Sequence, residues 1–564
     1  MAERILLSDL FRNAGLILTN RLRLLRRRGT AYVILSVSGT LPERTTRPRR
    51  PFPLSLLPWP APPASIESIS RALERLALDP RIQGVVLMVS GLEAAPATIG
   101  NLREAIGRFR AAGKRAVAYL PDASFWSYYL ACACDEILVP ESAAFRATGL
   151  WSEAIFLKDT LALAGLEADF EAIAEYKVSP DMLRRSEMTG PHREMLESLL
   201  DSLYAQTVNA MAQGRGLEPD KVIELMDSAP MTAQEALDVG LLDAICYEDE
   251  IPSHLGLSGA LRTWDEVGRR LLRPRRWHSR RSIGVISLEG AIVLGSSRQP
   301  PFPIPLPLPL PSVQAGSDTL IQQLRSTVRR KDLAAVVLHV DSPGGSALAS
   351  DLIWREVASL RKTKPVVVHM GNLAASGGYY VSAPANAIVC QPTTLTGSIG
   401  IWGGKIVTRR LFQKIHASRE TISRGKAAGL YSDSAPFSDA ERAKVRADIG
   451  EGYSRFKARV AAGRDMTDDE VEAIARGRVW TGEQALDLGL VDQLGDLQTA
   501  ASLARELAGV DPGRYARLIN IPIPKRYQGP ASVPADAGEW LANLSGLLRE
   551  GVFALAPWLI RIQG

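Results

Sequence analysis

The chain has 564 residues, of which 46% are hydrophobic and 23% charged, and a net charge of +6. Single cores rarely grow past about 250–300 residues, so two or more folded units are expected, and this balance excludes a disordered or many-spanning protein. The positive charge is local: the first 30 residues hold Arg4, Arg12, Arg21, Arg23, Arg26, Arg27 and Arg28 against Glu3 and Asp9, and no nucleic-acid partner is expected from the remainder.

Residues 5–28, "ILLSDLFRNAGLILTNRLRLLRRR", alternate Leu, Ile and Phe with Arg as in a helix lying in a membrane interface; an ordinary amphipathic docking helix is the alternative. No apolar run reaches the roughly 18–20 residues of a span, and no secretory cleavage pattern follows a short apolar stretch. A second amphipathic segment, "WLANLSGLLREGVFALAPWLIRI" (540–562), is interrupted by Arg549, Glu550 and Arg561. Cys132, Cys134, Cys246 and Cys390 lack metal-ligand spacing and read as free thiols.

Between these ends the chain repeats itself. "AYVILSVSGTL" (31–41) matches "SIGVISLEGAI" (282–292), aligning Gly39 with Gly290 at an offset of 251. "GVVLMVSG" (84–91) matches "AVVLHVDS" (335–342), and "YYLACACDEILV" (128–139) matches "YYVSAPANAIVC" (379–390), at that same offset of 251. Further on the offset is 249, pairing "TAQEALDVGLLD" (232–243) with "TGEQALDLGLVD" (481–492). In both copies Val/Ile/Leu runs alternate with helical patterns such as 65–78 and 349–362, which predicts α/β units with largely parallel sheets. Pro-rich stretches at 48–63 and 300–311 fall at equivalent places and predict projecting, extended loops.

In the second copy a buried strand, "AAVVLHV" (334–340), runs into "DSPGGSALAS" (341–350), a tight turn before a helix whose N–H groups suit a developing oxyanion. The next strand, "KPVVVHM" (364–370), leads to Ser376 in "NLAASGGYYVSAPAN" (372–386). Two parallel strands thus carry a donor loop and a serine to one sheet edge, where open α/β sheets place ligands. The six histidines, His192, His254, His278, His339, His369 and His416, are scattered, and His339 and His369 fall on inner strands as core residues. The remaining route to a base is a lysine kept neutral in a dry pocket.

"VDSPGGSALAS", "NLAASGGYYVSAPAN", "PTTLTGSIGIWGGK" and "GRVWTGEQALDLGLVDQLGD" together resemble the long, duplicated form of signal peptide peptidase A, or protease IV, over roughly residues 31–510. The resemblance implies a tandem duplication of a crotonase/Clp-peptidase-like domain and a Ser-Lys serine peptidase needing no cofactor, neither metal nor nucleotide. By it, Ser376 is the nucleophile, Lys177 in "EYKVSPDM" (175–182) is the base, and Ser398 in "LTGSIG" (395–400) holds the lysine amine; the oxyanion donors are sought near Gly344, Gly345 and Gly377. It further implies hydrophobic peptide substrates such as cleaved signal peptides, a homotetramer, and association with the bacterial inner membrane on the periplasmic side. The family's usual N-terminal anchor is not matched by residues 5–28.

The internal alignment adds its own constraint. Ser376 falls opposite Phe125, and "SGLEAAP" (90–96) stands where the second copy has "DSPGGSA", so the first copy cannot work alone. Lys177 falls opposite Lys426, so both copies retain a lysine and Lys426 is the alternative base. The expected organisation is a basic amphipathic segment (1–30), a lysine-supplying repeat (31–275), a serine-bearing repeat (276–510) and a tail (511–564). Two other functions fit the same residues: a crotonase-type enzyme acting on acyl-thioesters, and a non-catalytic scaffold.

Overall fold

A computed structural model of the chain describes residues 7–25, 31–45, 64–298, 313–523, 552–555 and 561–563. Both Pro-rich stretches, and most of the amphipathic segment 540–562, lie outside those residues.

The predicted βα alternation is present in both copies. Ser65 caps the helix Ile66–Ala77 by accepting a hydrogen bond from Ser68 N, and the helix buries Ile66, Ile69, Leu73 and Leu76, a stripe at helical spacing. Ser346 caps Ala347–Arg361 in the same way through Ala349 N. The central strands carry apolar residues at consecutive positions because helices cover both faces; Leu333–Ser342 is buried at nine of its ten positions.

The first copy forms a six-stranded parallel sheet in the order Ala244–Ile245, Glu136–Val139, Arg115–Tyr119, Gly84–Leu92, Tyr32–Gly39, Arg262–Thr263. The second repeats it around Val366–Ala375, Leu333–Ser342 and Ser282–Glu289, all parallel. Leu518–Asn520, beyond the boundary expected at 510, still pairs with Ser282–Glu289. Equivalent side chains make equivalent contacts: Tyr128 donates to Leu241 O at 2.9 Å and Tyr379 to Leu490 O at 2.8 Å. Arg215 pairs with Asp243, and Arg464 with Asp492, both at 2.7 Å. All four cysteines are buried and free.

A third, mixed sheet joins the copies. Glu167–Ala172 leaves the first copy and pairs antiparallel with Trp402–Val407 of the second, along six successive residue pairs from Trp402↔Ala172 to Val407↔Glu167. Arg442 and Arg446 of the second copy bind Asp169 and Glu171 on that strand, so the crossing is held by backbone and by charge.

Candidate active site

Leu333–Ser342 and Val366–Ala375 lie side by side and parallel, with His339 opposite His369. Those two histidines face each other, Nδ1 to Nδ1 at 3.0 Å, and burial pushes both down to about 3, so they are neutral core residues. Where Val366–Ala375 ends, Ser376 takes φ 54° and ψ −114°, a region costly for a side chain with a Cβ, on the order of 1–3 kcal/mol. The turn is held because Ser376 N donates to Gly397 O at 2.7 Å and Tyr380 N to Ser376 O at 2.8 Å. Gly378 lets the following helix, Gly377–Ser382, press against Ser342, whose carbonyl oxygen would stand 2.9 Å from any Cβ there.

Lys177 reaches this serine from the other copy. Beyond Glu167–Ala172 its loop is fastened to the second copy: Ile173 N donates to Ile401 O at 2.9 Å, Tyr176 N to Arg476 O at 3.2 Å, and Glu175 pairs with Arg476 at 2.8 Å. Gly477, at φ +83°, completes the seat, since a Cβ on it would lie 2.5 Å from Lys177 N. The lysine is 1% exposed and the serine fully buried. Lys177 Nζ stands 2.7 Å from Ser376 Oγ, 3.0 Å from Ser398 Oγ and 3.0 Å from Ser398 O. None of these partners is a carboxylate, and burial alone pushes the amine well below the ordinary lysine range.

The predicted donor loop needs one correction. Gly344 N is turned into its own bend, donating to Ser342 Oγ at 3.1 Å, and is therefore committed inside the loop. Gly345 lies opposite Ile292, so close that a Cβ would meet Ile292 O at 2.0 Å. Gly377 opens its helix, where the first N–H groups have no partner within the helix. Gly344–Ser346 and Trp402–Gly403 also flank an antiparallel slot, which the chain's own Val552–Leu555 fills as a strand. That part of the 540–562 segment is thus extended rather than helical.

The first copy's equivalent place is closed. Phe125 is fully buried and packs edge-on against Trp126 at 5.0 Å. Lys426 stands exposed in the loop 418–430 and is not brought to Ser376. Gly477, Arg476 and Glu175 were not singled out from the sequence. The signal for Gly477 was there in the repeat, which sets it opposite Ser228.

The sequence model of peptidase family S49 matches residues 108–257 and 358–511, one stretch in each copy. The chain is 33% identical over 472 residues to "Serine protease SPPA, chloroplastic" of Arabidopsis thaliana, covering 82% of this chain and 68% of that one. It is 28% identical to "Protease 4" of Haemophilus influenzae, covering 77% and 72%, and 30% identical to "Protease 4" of Salmonella typhi, covering 79% and 72%. Among solved structures, the 1510-N membrane-bound stomatin-specific protease overlaps 43% of this chain and 99% of its own, at 15% identity and a TM-score of 0.27.

Proposed function

The chain belongs to peptidase family S49, and from that premise we propose that it is a serine endopeptidase in which Ser376 of the second copy is the nucleophile and Lys177 of the first is its base. The observation that carries this reading is the 2.7 Å approach of Nζ to Oγ in a site without a neighbouring carboxylate. A neutral amine there accepts the hydroxyl proton while its own N–H groups donate to Ser398 O and Oγ. Oγ attacks the scissile carbonyl, Lys177 carries the proton to the leaving amine, and an ester to Ser376 remains. Water then attacks the ester, giving its proton to Lys177, which returns it to Oγ as the acid leaves. The N–H groups of Gly377 and Gly345 are assigned to the oxyanion.

The substrates assigned are extended hydrophobic peptides, cleaved signal peptides among them. The antiparallel slot beside Gly344–Ser346 supports this, because it already accommodates one strand of polypeptide backbone. A homo-oligomeric ring, a tetramer by the resemblance, follows from the repeat. Within the chain Glu167–Ala172 pairs with the strand that begins at Trp402, and Trp402 is the counterpart of Trp151. The second-copy counterpart of Glu167–Ala172, residues 418–423, is exposed and joins no sheet among the described residues, and Trp151–Glu153 pairs on one side with Arg561–Gln563, so the partner assigned to 418–423 is the Trp151–Glu153 strand of a neighbouring chain. That contact would bring Lys426 towards the Phe125 position of the next chain.

The test is hydrolysis of a Leu-rich fluorogenic peptide by the wild type, Ser376→Ala, Lys177→Ala and Lys426→Ala. The first two should lose on the order of 10³-fold or more in kcat and the third should retain activity. Full activity in Lys177→Ala with loss in Lys426→Ala would reverse the assignment of the base. Labelling of Ser376 by a fluorophosphonate separates a peptidase from an acyl-thioester enzyme and from an idle scaffold.

A further inference from the structure

The strand that carries Ser376 and the strand that carries the glycine turn lose register just before the site. Val340 lies opposite Met370 and Ser342 opposite Ala374, so Asp341 alone faces Gly371, Asn372 and Leu373. Such a bulge leaves backbone groups without ladder partners, and side chains must satisfy them. Asp341 Oδ1 accepts from Leu373 N at 3.2 Å, and Asp341 Oδ2 accepts from Asn372 Nδ2 at 3.3 Å. Gly371 leaves room for that carboxylate, since a Cβ there would lie 2.8 Å from Oδ2. On the neighbouring segment Thr394 Oγ1 donates to Gly371 O at 2.8 Å and Thr396 Oγ1 to Ala374 O at 2.7 Å. Asp341 thus stands at the root of both loops of the site: the next residue, Ser342, holds Gly344 N, and Leu373 leads through two alanines to Ser376.

The other side of Asn372 belongs to the first copy. Its helix Pro96–Ala111 follows Ala95, whose methyl cannot cap it, whereas the counterpart of Ala95 at the offset of 251 is Ser346, which caps its own helix. Asn372 supplies the missing cap from the second copy: Oδ1 accepts from Thr98 N at 2.9 Å and from Thr98 Oγ1 at 3.1 Å, and Nδ2 donates to Thr98 Oγ1 at 2.9 Å. An acceptor on the third N–H of a helix is what an N-cap side chain provides. The bulge before the nucleophile is therefore fastened to the first copy. That copy has no such node of its own, because Asp341 falls opposite Ser90 and Asn372 opposite Pro121. There Arg115–Tyr119 stops at the counterpart of Met370, and the chain resumes as Ala123–Ser124 in a separate sheet. The fold survives without the node; the serine is what has gone with it.

We propose that Asp341 and Asn372 are positioning residues for Ser376 and that Thr98 holds them in place, so that the first copy helps to place the nucleophile as well as supplying its base. The assignment rests on the Ser376–Lys177 reading. Asp341 and Asn372 act through the backbone: they fix the bulge from which Ser376 N reaches Gly397 O at 2.7 Å, and with it the direction of Oγ towards Lys177.

The experiment is steady-state cleavage of a Leu-rich fluorogenic peptide by the full chain, with kcat and KM separated. Asn372→Ala and Asp341→Ala should each lose about 10- to 100-fold in kcat with KM within about twofold of wild type, and should slow fluorophosphonate labelling of Ser376. Thr98→Val removes only a hydroxyl, from the first copy, and should cost about three- to tenfold in kcat, which keeps the assignment testable should a harsher variant misfold. Ser65→Ala removes a different helix cap of the first copy; it should lower Tm by about 2–4 °C, as Asn372→Ala does, and leave kcat unchanged. Asn372→Asp and Asp341→Asn should each be impaired, the first by opposing two carboxylates and the second by opposing two donors, and the exchange Asn372→Asp/Asp341→Asn should regain most of the lost kcat. The assignment is overturned if Asn372→Ala and Thr98→Val cleave at the wild-type rate while Ser376→Ala is inactive, if Ser65→Ala loses as much kcat as Asn372→Ala, or if the exchange is worse than either single variant. A Ser376→Ala chain that still cleaves would overturn the dyad, and this assignment with it.

Discussion

The two copies share strand order and even the tyrosine that anchors the helix after the third long strand, yet they treat the same two positions oppositely. The second copy keeps Ser376 in a strained turn, whereas the first fills that place with Phe125 in a closed aromatic contact. The first copy's lysine is sealed against the other copy, while the second copy's Lys426 is exposed. A shared fold therefore fixes where a loop departs and leaves its partner to decide what the loop does. Lys177 is sealed because Glu167–Ala172 adds to the other copy's sheet and Gly477 makes room for it.

The most severe way to break this comparison is to move the nucleophile. A Ser376→Ala/Phe125→Ser chain restores a serine to the first copy and removes it from the second. It should stay at background, on the order of 10³-fold or more below wild type, because "SGLEAAP" lacks the Pro-Gly-Gly turn and no buried lysine among the described residues faces residue 125. It should also lose about 3–5 kcal/mol of stability by emptying a core aromatic site. Measurable peptide cleavage by this chain would show that the first copy is a dormant site rather than a closed one.

A subtler break concerns Gly477. Gly477→Ala sets a Cβ against Lys177 N in a left-handed conformation, so the lysine must shift; a displacement near 1 Å is enough for about a 100-fold loss in kcat. Ser228→Ala, at the matching place of the first copy, should leave kcat unchanged. Equal effects in the two variants would show that Gly477 is not what seats Lys177, and circular dichroism would confirm that both remain folded.

Much of this was legible in the sequence, for identifiable reasons. Alternating strand and helix patterns show the fold, and an offset of 251 shows the duplication, because both are written in local periodicity. Ser376 stands out once its own first-copy counterpart is a phenylalanine. Lys177 does not, since nothing local distinguishes a buried lysine from a solvated one; only the resemblance named it. The pairing of Glu167–Ala172 across copies and the commitment of Gly344 N to Ser342 depend on long-range geometry, which spacing does not encode. The amphipathic pattern of residues 7–25 likewise shows a stripe without saying which side meets the protein.

Burial of Lys177 has a thermodynamic signature that sharpens the contrast with Lys426. In the unfolded chain the amine binds a proton below its ordinary pKa of 10.5, whereas in the folded chain it stays neutral well below that value. The unfolded state thus holds more protons, and the site's contribution to stability falls as pH drops from 10.5 towards the folded pKa. Lys177→Met should therefore raise Tm by a few degrees at pH 7 while abolishing cleavage, with the gain shrinking as pH approaches 10.5. Lys426→Met, at an exposed position, should leave Tm within error at pH 7. A Lys177→Met chain less stable than wild type at neutral pH would mean that the amine is charged and paired in the folded protein.

The smallest expected effect lies in the seam between the copies, where equivalent positions again part company. Glu43, half-buried, lines a cavity of about 180 Å³ together with Thr40 and Leu41 of one copy and His339, Asp341 and Asn372 of the other. Its counterpart at the offset of 251, Leu294, is 40% exposed. Glu43 accepts from Asn101 Nδ2 at 2.9 Å, and Asn101 Oδ1 accepts from Gln391 Nε2 of the second copy at 2.8 Å, so the carboxyl sits at the head of a hydrogen-bond chain across the seam. Burial first, and the charge of Asp496 second, push it up from 4.5 to about 8. Because the folded protein holds this proton after the unfolded chain has lost it, stability declines as pH rises from 4.5 and levels off above about 8. Glu43→Gln keeps an acceptor for Asn101 without a proton to lose, so its Tm should fall less than that of the wild type between neutral pH and pH 8. Parallel Tm curves for the two proteins over that interval would place the charged form of Glu43 in the folded seam and remove it as a point where the joined copies respond to alkali.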